Sequence, residues 1–299
     1  MTRRAIIIGG GGIVGREFCR VLTPHYEVIS ADVDHCGKEK YQSNECLQLT
    51  HENVDITKKE ELVSLFHAGD IVINLAAMSR ISDCNSDILN SLQINLVGAV
   101  NVLVAASEKR CGHVIIASSL YANGHTGGFY SASKRALEQY AIGFMSCSEI
   151  PLTVLRLGSL AGGLNDVNSL PTRIIRHHLG ITSINDTINS ELVRDYLPLP
   201  MVAEKLENII MNEEYFDSFI EFSSGTELNT SELITEICKA LDIDEIDNIE
   251  LTKKKLDFAG QYINSPSQEY EIKKKTISIN EEGYSFLAHL RDITRESFS

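Results

Sequence analysis

Short apolar runs that read as strands alternate with segments of helical spacing from Arg4 to Gly158. The strand-like runs cover 4–8, 26–32, 70–77, 113–119 and 152–158. Between them, 13–23, 58–66, 86–109 and the segment YSASKRALEQYA (130–141) place apolar residues on one helical face. Such alternation predicts an α/β fold, a doubly wound parallel sheet with helices on both faces. The pattern breaks down beyond Gly162. A helix is expected over 201–213, a strand over 218–224 and helices over 231–241 and 280–293, while 242–280 is charged and weakly patterned. The expected division is a first domain over 1–162, to which 194–224 returns, and a smaller irregular C-terminal lobe from 163–193 and 225–299.

With 299 residues and a formal net charge of −14, the chain is a poor candidate for binding nucleic acid. The charge is uneven: residues 1–160 hold 14 Lys+Arg against 16 Asp+Glu, and residues 161–299 hold 13 against 25. A solvated acidic surface accounts for this excess. Seven cysteines without a Cys-x-x-Cys pair fit free thiols in a reducing cytoplasm. The apolar run after Arg3-Arg4 ends in glycines too soon for a secretory h-region. The apolar stretch LVGAVNVLVAA (96–106) is too short to span a bilayer, so no membrane partner is expected.

The first strand runs into GGGGIVG, where Gly9, Gly12 and Gly15 have G-x-x-G-x-x-G spacing and Ile13 and Val14 open a helix. Glycines let a backbone turn sharply beside a pyrophosphate, and a helix N-terminus offers that anion free N–H groups. Glycines also build plain turns; the strand–turn–helix context favours a dinucleotide site. Asp32 closes the next strand 17 residues after Gly15, where a carboxylate would bond the ribose 2′-OH. A carboxylate there would repel a 2′-phosphate, and no Lys or Arg follows before Lys38, which favours NAD over NADP.

Tyr130 and Lys134 stand four residues apart, one helical turn, after a strand that ends in Ser118-Ser119. An ammonium near a phenol favours its ionised form, and a serine hydroxyl would hold the oxygen that gains or loses the proton. A solvent-facing pair is the alternative reading. The three features in this order suit alcohol/ketone interconversion with hydride passing to or from a nicotinamide.

These segments resemble the extended short-chain dehydrogenase/reductases, the NAD-dependent epimerase/dehydratase family, with its Rossmann domain. GGGGIVG, NVDIT with Asp55 and Ile56, NLAA with Leu75, Ala76 and Ala77, NLVGAVNVLVAA, YSASK, SSGTELNTSELI (223–234) and NEEGYSFLAHLRD carry the likeness. The resemblance implies that Asp55 contacts adenine and that the NLAA strand lines the cofactor. It implies Tyr130 as general acid/base, Lys134 on the nicotinamide ribose, Asn95 in a proton relay at a helix kink, and Ser119 or Ser118 orienting the reacting oxygen. It also implies a homodimer paired through the 86–109 and Tyr130 helices.

Some positions depart from the family pattern. SSLYANG has a shortened turn with Ala122 in place of glycine. Leu120 and Tyr121 stand where dehydratases carry an Asp-Glu pair, which argues against a 4,6-dehydratase. VRDYLPLP keeps Arg194 but has Pro198 and Pro200 in place of the family's His and Asp. In relatives that arginine faces a nucleotide diphosphate; Arg173 and Arg176 would join it, or form a plain helix-end cluster with His177 and His178. No metal site is expected, because adjacent histidines rarely converge on one ion. The lysine runs 253–255 and 273–275 read as solvated faces. The expected function is an NAD-dependent nucleotide-sugar epimerase. A reductase of a keto-sugar nucleotide or other carbonyl compound is the alternative, and an inactive dinucleotide-binding sensor or scaffold the third.

Overall fold

A computed structural model describes residues 3–34, 49–124, 127–163, 165–185, 187–225, 227–252, 273–279 and 286–295. In chain order the elements are β1 (Arg4–Ile8), α1 (Ile13–Leu22), β2 (Glu27–Asp32), β3 (Leu49–Asn53), α2 (Lys59–Leu65), β4 (Ile71–Asn74), α3 (Ile81–Ser86) and α4 (Ile88–Leu92). A π-turn (Gln93–Gly98) leads into α5 (Ala99–Lys109), followed by β5 (His113–Ser119), a 3₁₀ turn (Leu120–Asn123), α6 (Gly128–Cys147), β6 (Leu152–Leu157) and β7 (Ser159–Ala161). Then come α7 (Leu170–His178), β8 (Ile188–Asn189), β9 (Arg194–Pro198), α8 (Leu199–Glu204), α9 (Leu206–Met211), β10 (Ser218–Ser223), β11 (Glu227–Leu228), α10 (Thr230–Leu241), β12 (Leu251–Thr252), β13 (Lys273–Ser278) and α11 (Phe286–Arg295).

The first compact unit comprises 1–157, 203–221 and 262–275. Its sheet has the order β13-β10-β6-β5-β4-β1-β2-β3, and β1 pairs in parallel with both β2 and β4. The order reverses between β1 and β4, the switch point where ligands bind beyond the carboxyl ends of the strands. β5 is buried along its whole length, which is why HVIIASS reads as one run without alternation. Ile6, Ile8, Val72, Val114, Ile116 and Val154 of the strands pack on Val102, Leu103, Leu137 and Ala141 of the helices.

Several element bounds differ from the sequence expectation. β4 stops at Asn74, where Leu75 and Ala76 bend away towards the glycine turn. β3 was not expected; it is an edge strand whose LTHEN residues are mostly exposed, so no apolar run marks it. The helix over 201–213 is broken at Lys205 into α8 and α9. Leu251–Thr252 and Lys273–Ser278 are strands within the weakly patterned stretch. Of the expected 280–293 helix, 280–285 lie outside the described residues. The apolar helix runs continuously over Ile88–Lys109, 22 residues, and is long and apolar enough to cross a membrane. Its Ala99, Val102, Leu103 and Ala106 are buried in the core of the first unit, as in a packed core helix.

The second unit comprises 158–202, 222–261 and 276–299. The chain therefore returns to the first unit over 203–221, a shorter span than 194–224, because β9 pairs with β7 and β11. Its core gathers Ile174, Ile175, Tyr196, Leu233, Ile237, Phe286, Leu290 and Ile293, with the Tyr196 and Phe286 rings stacked at 5.5 Å. A capping box starts α10: Asn229 Oδ1 accepts from Glu232 N at 2.9 Å, and Glu232 Oε2 accepts from Asn229 N at 2.7 Å. Asp195 accepts from Ser223 Oγ at 2.9 Å and Ser224 N at 3.0 Å, fastening β9 to the end of β10.

Candidate active site

The glycine turn lies at the carboxyl end of β1. Gly9 has φ +82°, and a Cβ there would stand 2.7 Å from Ala76 N, so only glycine fits against the strand that carries Leu75, Ala76 and Ala77. Leu75 N donates to Ile8 O at 2.8 Å, closing that approach. Gly15 is buried, and a Cβ on it would overlap Gly9 O. Gly12 differs: a Cβ there would meet only Gly9 O, at 3.3 Å. The chain itself makes little demand for a small residue at this position, which suits an outside group approaching it. Gly12 is also the N-cap of α1 and offers no side-chain acceptor to the first N–H groups, beside which Ile13 and Val14 sit. Asp32, at the end of β2, accepts from Gly11 N at 2.9 Å and so ties the turn to the carboxylate expected to meet a ribose. These features fit a dinucleotide pyrophosphate and ribose.

Asp55 and Ile56 follow β3. Asp55 accepts from Thr57 N at 2.9 Å and Thr57 Oγ1 at 2.7 Å, bonds that hold its carboxyl below the usual carboxylate range. Ile56 is buried, and Gly98 makes room for it, since a Cβ on Gly98 would stand 2.9 Å from Ile56 Cγ2. Asn101 Nδ2 donates to the Ile56 and Thr57 carbonyls, both at 3.2 Å. Asn95 lies in the π-turn, nearly fully buried. Its Oδ1 accepts from Met78 N at 2.7 Å, and its Nδ2 donates to Met78 O at 3.0 Å and Ser133 Oγ at 3.2 Å. The N-x-x-G-x-x-N motif thus anchors the loops after β3 and β4. The helix irregularity expected at Asn95 is the π-turn, and the contacts of Asn95 are with the Met78 peptide groups, Cys84 Sγ and α6.

Tyr130, half-buried, and Lys134, buried, lie on one face of α6 against the end of β5. Lys134 Nζ is 5.9 Å from the Tyr130 ring centre and donates to Ala117 O at 2.8 Å. Burial pulls the lysine down to about 8, opposed by Cys84 and Glu138. The four-residue spacing predicts an ammonium that acidifies the phenol. In the structure burial dominates and pushes Tyr130 above its ordinary value, while a hydrogen bond with Ser119 pulls it back. The ammonium is engaged by the Ala117 carbonyl, so acidification by Lys134 alone is not what this geometry produces.

The two serines part company. Ser119 is the hydroxyl that pulls the Tyr130 phenol back towards its ordinary value, and it accepts from Tyr121 N at 3.2 Å. Ser118 donates to Glu138 Oε1 at 2.6 Å instead, as expected where successive strand side chains point to opposite faces. The geometry therefore favours Ser119. Tyr121 packs edge-on to Tyr130, ring centres 6.3 Å apart. Glu138 and Arg156 were not singled out by sequence reasoning, and Tyr121 was named only as a departure from the dehydratases; an arginine inside the buried strand LTVLRL was the available signal for the pair.

The candidate substrate residues lie in the second unit. Arg173 and Arg176 are on α7, and Arg194 on β9 donates to Ser159 Oγ at 3.4 Å. Among the described residues, no group of three or more His, Cys, Asp or Glu is placed to hold a metal ion.

Three comparisons place the chain among known proteins. A UDP-N-acetyl-alpha-D-glucosaminuronate decarboxylase from Bacillus cytotoxicus is 25% identical over 186 residues, 59% of this chain. The match spans 54% of that enzyme, about half its length. A UDP-N-acetylglucosamine 4-epimerase from Methanobrevibacter ruminantium superposes with TM-score 0.77 at 19% identity, covering 99% of this chain and 98% of that one. The UDP-glucose 4-epimerase of Thermus thermophilus, solved with NAD, superposes with TM-score 0.76 at 18% identity, covering 98% and 99%. At these identities the structural likeness establishes the Rossmann-type fold. The family description "NAD dependent epimerase/dehydratase family" matches residues 5–197, and with the glycine turn and the Tyr130–Lys134 helix in place this chain belongs to that family, whose cofactor is NAD.

Proposed function

We propose that this protein is a nucleotide-sugar epimerase that works through a transient keto intermediate. The observation that carries this reading is Tyr130 and Lys134 on the face of α6 against the end of β5, where Lys134 Nζ donates to Ala117 O and Ser119 is followed by Leu120 and Tyr121 rather than by an acidic pair. Bound NAD supplies the hydride acceptor and donor. Tyr130 takes the proton of a sugar hydroxyl and returns it, and Ser119 holds that oxygen. Lys134 holds the end of α6 on β5 through Ala117 O and presents a positive charge beside the phenol. Asp32 recognises a free ribose hydroxyl, which favours NAD over its 2′-phosphorylated form. Arg194, with Arg173 and Arg176, meets the diphosphate through charge-assisted bonds.

Two further readings accompany this one. The outward faces of α4, the π-turn, α5 and α6 carry exposed Leu89, Leu92, Val97, Val104 and Tyr140, which supports a homodimer formed through these helices. The described cysteines 19, 84, 111, 147 and 238 are all free thiols, which supports a cytoplasmic setting.

The test is incubation of the purified protein with UDP-glucose and UDP-N-acetylglucosamine, read by proton NMR for C4 epimers, with absorbance at 340 nm followed in parallel. Epimer formation without net NADH turnover supports the reading. Stoichiometric NADH consumption would make the protein a reductase, and mass spectrometry of released small molecules identifies the bound cofactor.

A further inference from the structure

The last three residues of β5 hold three different turns of α6. Ser119 lowers the Tyr130 phenol towards its ordinary value, the Ala117 carbonyl accepts from Lys134 Nζ, and Ser118 Oγ donates to Glu138 Oε1. The first two contacts belong to the site already described. The third continues into an ionic chain that the proton-transfer chemistry does not use.

Arg156 of β6 grips Glu138 with two bonds, Nε to Oε1 at 2.9 Å and Nη2 to Oε2 at 2.8 Å. Its Nη1 reaches Glu221 of β10 at 2.7 Å, and Asn123 Nδ2 donates to the same carboxylate oxygen at 3.2 Å. The guanidinium rests 4.9 Å from the Phe219 ring centre. Glu138 and Arg156 are each only 5% exposed. Buried pairs of this kind are often matched in stability by well-packed apolar side chains, so stability alone is a weak reason for one. The two-pronged geometry adds direction: it fixes both partners in rotation and translation. It joins α6, β5, β6 and β10 to Asn123, the last residue of the turn that begins after Ser119. One network thus holds the helix that bears Tyr130 and Lys134 and the far end of the turn that follows Ser119.

We propose that Glu138 and Arg156 are the positioning pair of this site, setting the register of α6 along β5 and so the placement of Tyr130 against Ser119 and of Lys134 against Ala117. The proposal rests on the reading of Tyr130 as the proton-transfer group. A misplacement of about 1 Å at a reacting centre can cost on the order of a hundredfold in rate. Glu138 is also one turn from Lys134 on the same helical face, so its carboxylate favours the ammonium.

The test uses the full chain and three variants. Glu138→Gln keeps the shape but removes the charge, and Glu138→Asp keeps the charge but draws it back by one methylene. The double variant Glu138→Met/Arg156→Met removes both charges of the pair together, while the part-exposed Glu221 keeps Asn123 as its donor. With whichever of UDP-glucose and UDP-N-acetylglucosamine the parent turns over, kcat is expected to fall at least about tenfold in all three, with KM within about twofold. The double variant is expected to unfold at a higher midpoint than Glu138→Gln, which leaves Arg156 buried without its main counter-charge, and yet not to regain kcat, a split that a purely structural role would not produce. Hydrogen exchange gives a readout independent of turnover: deuterium uptake over 128–138 rises in Glu138→Asp while uptake over 4–22 is unchanged. Parental kcat in the double variant, or parental uptake over 128–138 in Glu138→Asp, overturns the proposal. If Tyr130→Phe is inactive while the Glu138 variants are fully active, only the positioning role fails; if Tyr130→Phe stays active, the proton-transfer reading itself fails.

Discussion

The ammonium of Lys134 lies 2.8 Å from the carbonyl of Ala117, one strand residue before the Ser118-Ser119 pair, and not against the phenol it accompanies on α6. The lysine therefore reads out the end of β5, and Ser119 is the hydroxyl that favours the ionised form of the tyrosine one turn away. Removing the phenolic oxygen alone should leave this scaffold standing. Tyr130→Phe is expected to lower the rate of sugar-nucleotide turnover at least about a hundredfold with NAD affinity nearly unchanged, measured by steady-state kinetics and calorimetric titration of NAD. Retention of most of the activity would remove Tyr130 from the mechanism.

Burying Lys134 has a stability cost. A folded-state value of about 8 against an ordinary 10.5 means the fold favours the neutral amine, so the penalty is full below pH 8 and fades as pH rises towards 10.5. Lys134→Met removes the penalty and leaves one carbonyl without its donor. The expected result at pH 7 is a gain of about 1–2 kcal/mol in urea unfolding, together with loss of turnover. A destabilised variant would contradict this account.

His113 behaves in the opposite pH range. Its ring is buried at the start of β5, bonds Thr153 Oγ1 at 2.9 Å and packs on Phe216 at 4.4 Å, and burial pulls it from 6.5 to about 4. The fold holds it neutral while the unfolded chain binds a proton near 6.5, so stability is intact above that pH and lost as pH falls towards 4. The shift corresponds to about 3 kcal/mol over this window. Urea unfolding at pH 7, 5.5 and 4.5 should show that slope in the parent and a shallower one in His113→Leu.

Gly9 and Gly69 separate two reasons for glycine. Both have positive φ, +82° and +83°, but a Cβ on Gly69 meets nothing within 4 Å while one on Gly9 meets the Ala76 backbone. Gly69→Ala should cost about 1 kcal/mol through backbone conformation alone. Gly9→Ala should cost more than about 3 kcal/mol and weaken NAD binding, because two strand ends must move apart. Equal effects in thermal unfolding would mean that close packing at the turn is not the reason.

Leu89 is 78% exposed and Tyr140 55% exposed, on the outward faces of α4 and α6. If these helices pair two copies, Leu89→Glu/Tyr140→Glu should shift the protein to monomer in light scattering at micromolar concentration, with its circular dichroism unchanged. A parent that is already monomeric would refute the pairing.

Where burial is complete or backbone geometry is extreme, the sequence shows the structure. β1, β4 and β5 are covered on both faces and appear as unbroken apolar runs, and the glycine turn appears because few residues besides glycine fit there. β3 was illegible because an exposed edge strand needs no apolar face. The π-turn follows from which carbonyl each amide selects, a choice that residue types do not record. Ser118 and Ser119 are chemically identical, and only the pleat separates the one that meets Glu138 from the one that meets Tyr130. Glu138 and Arg156 were hidden because their partnership runs between a helix and a strand; a charged residue in LTVLRL signalled that a counter-charge must be buried nearby, without identifying it.

The pairing of β6 with β10 joins two stretches that synthesis makes far apart in time. As the chain leaves the ribosome, β6 is complete while its outer neighbour is still untranslated, and residues 158–217 are made in between. Until Ser218–Glu221 emerge, β6 presents an open row of amides and carbonyls, and the guanidinium of Arg156 lacks one of its two carboxylate partners. Nascent chains stalled between these two strands would be the species most in need of a chaperone.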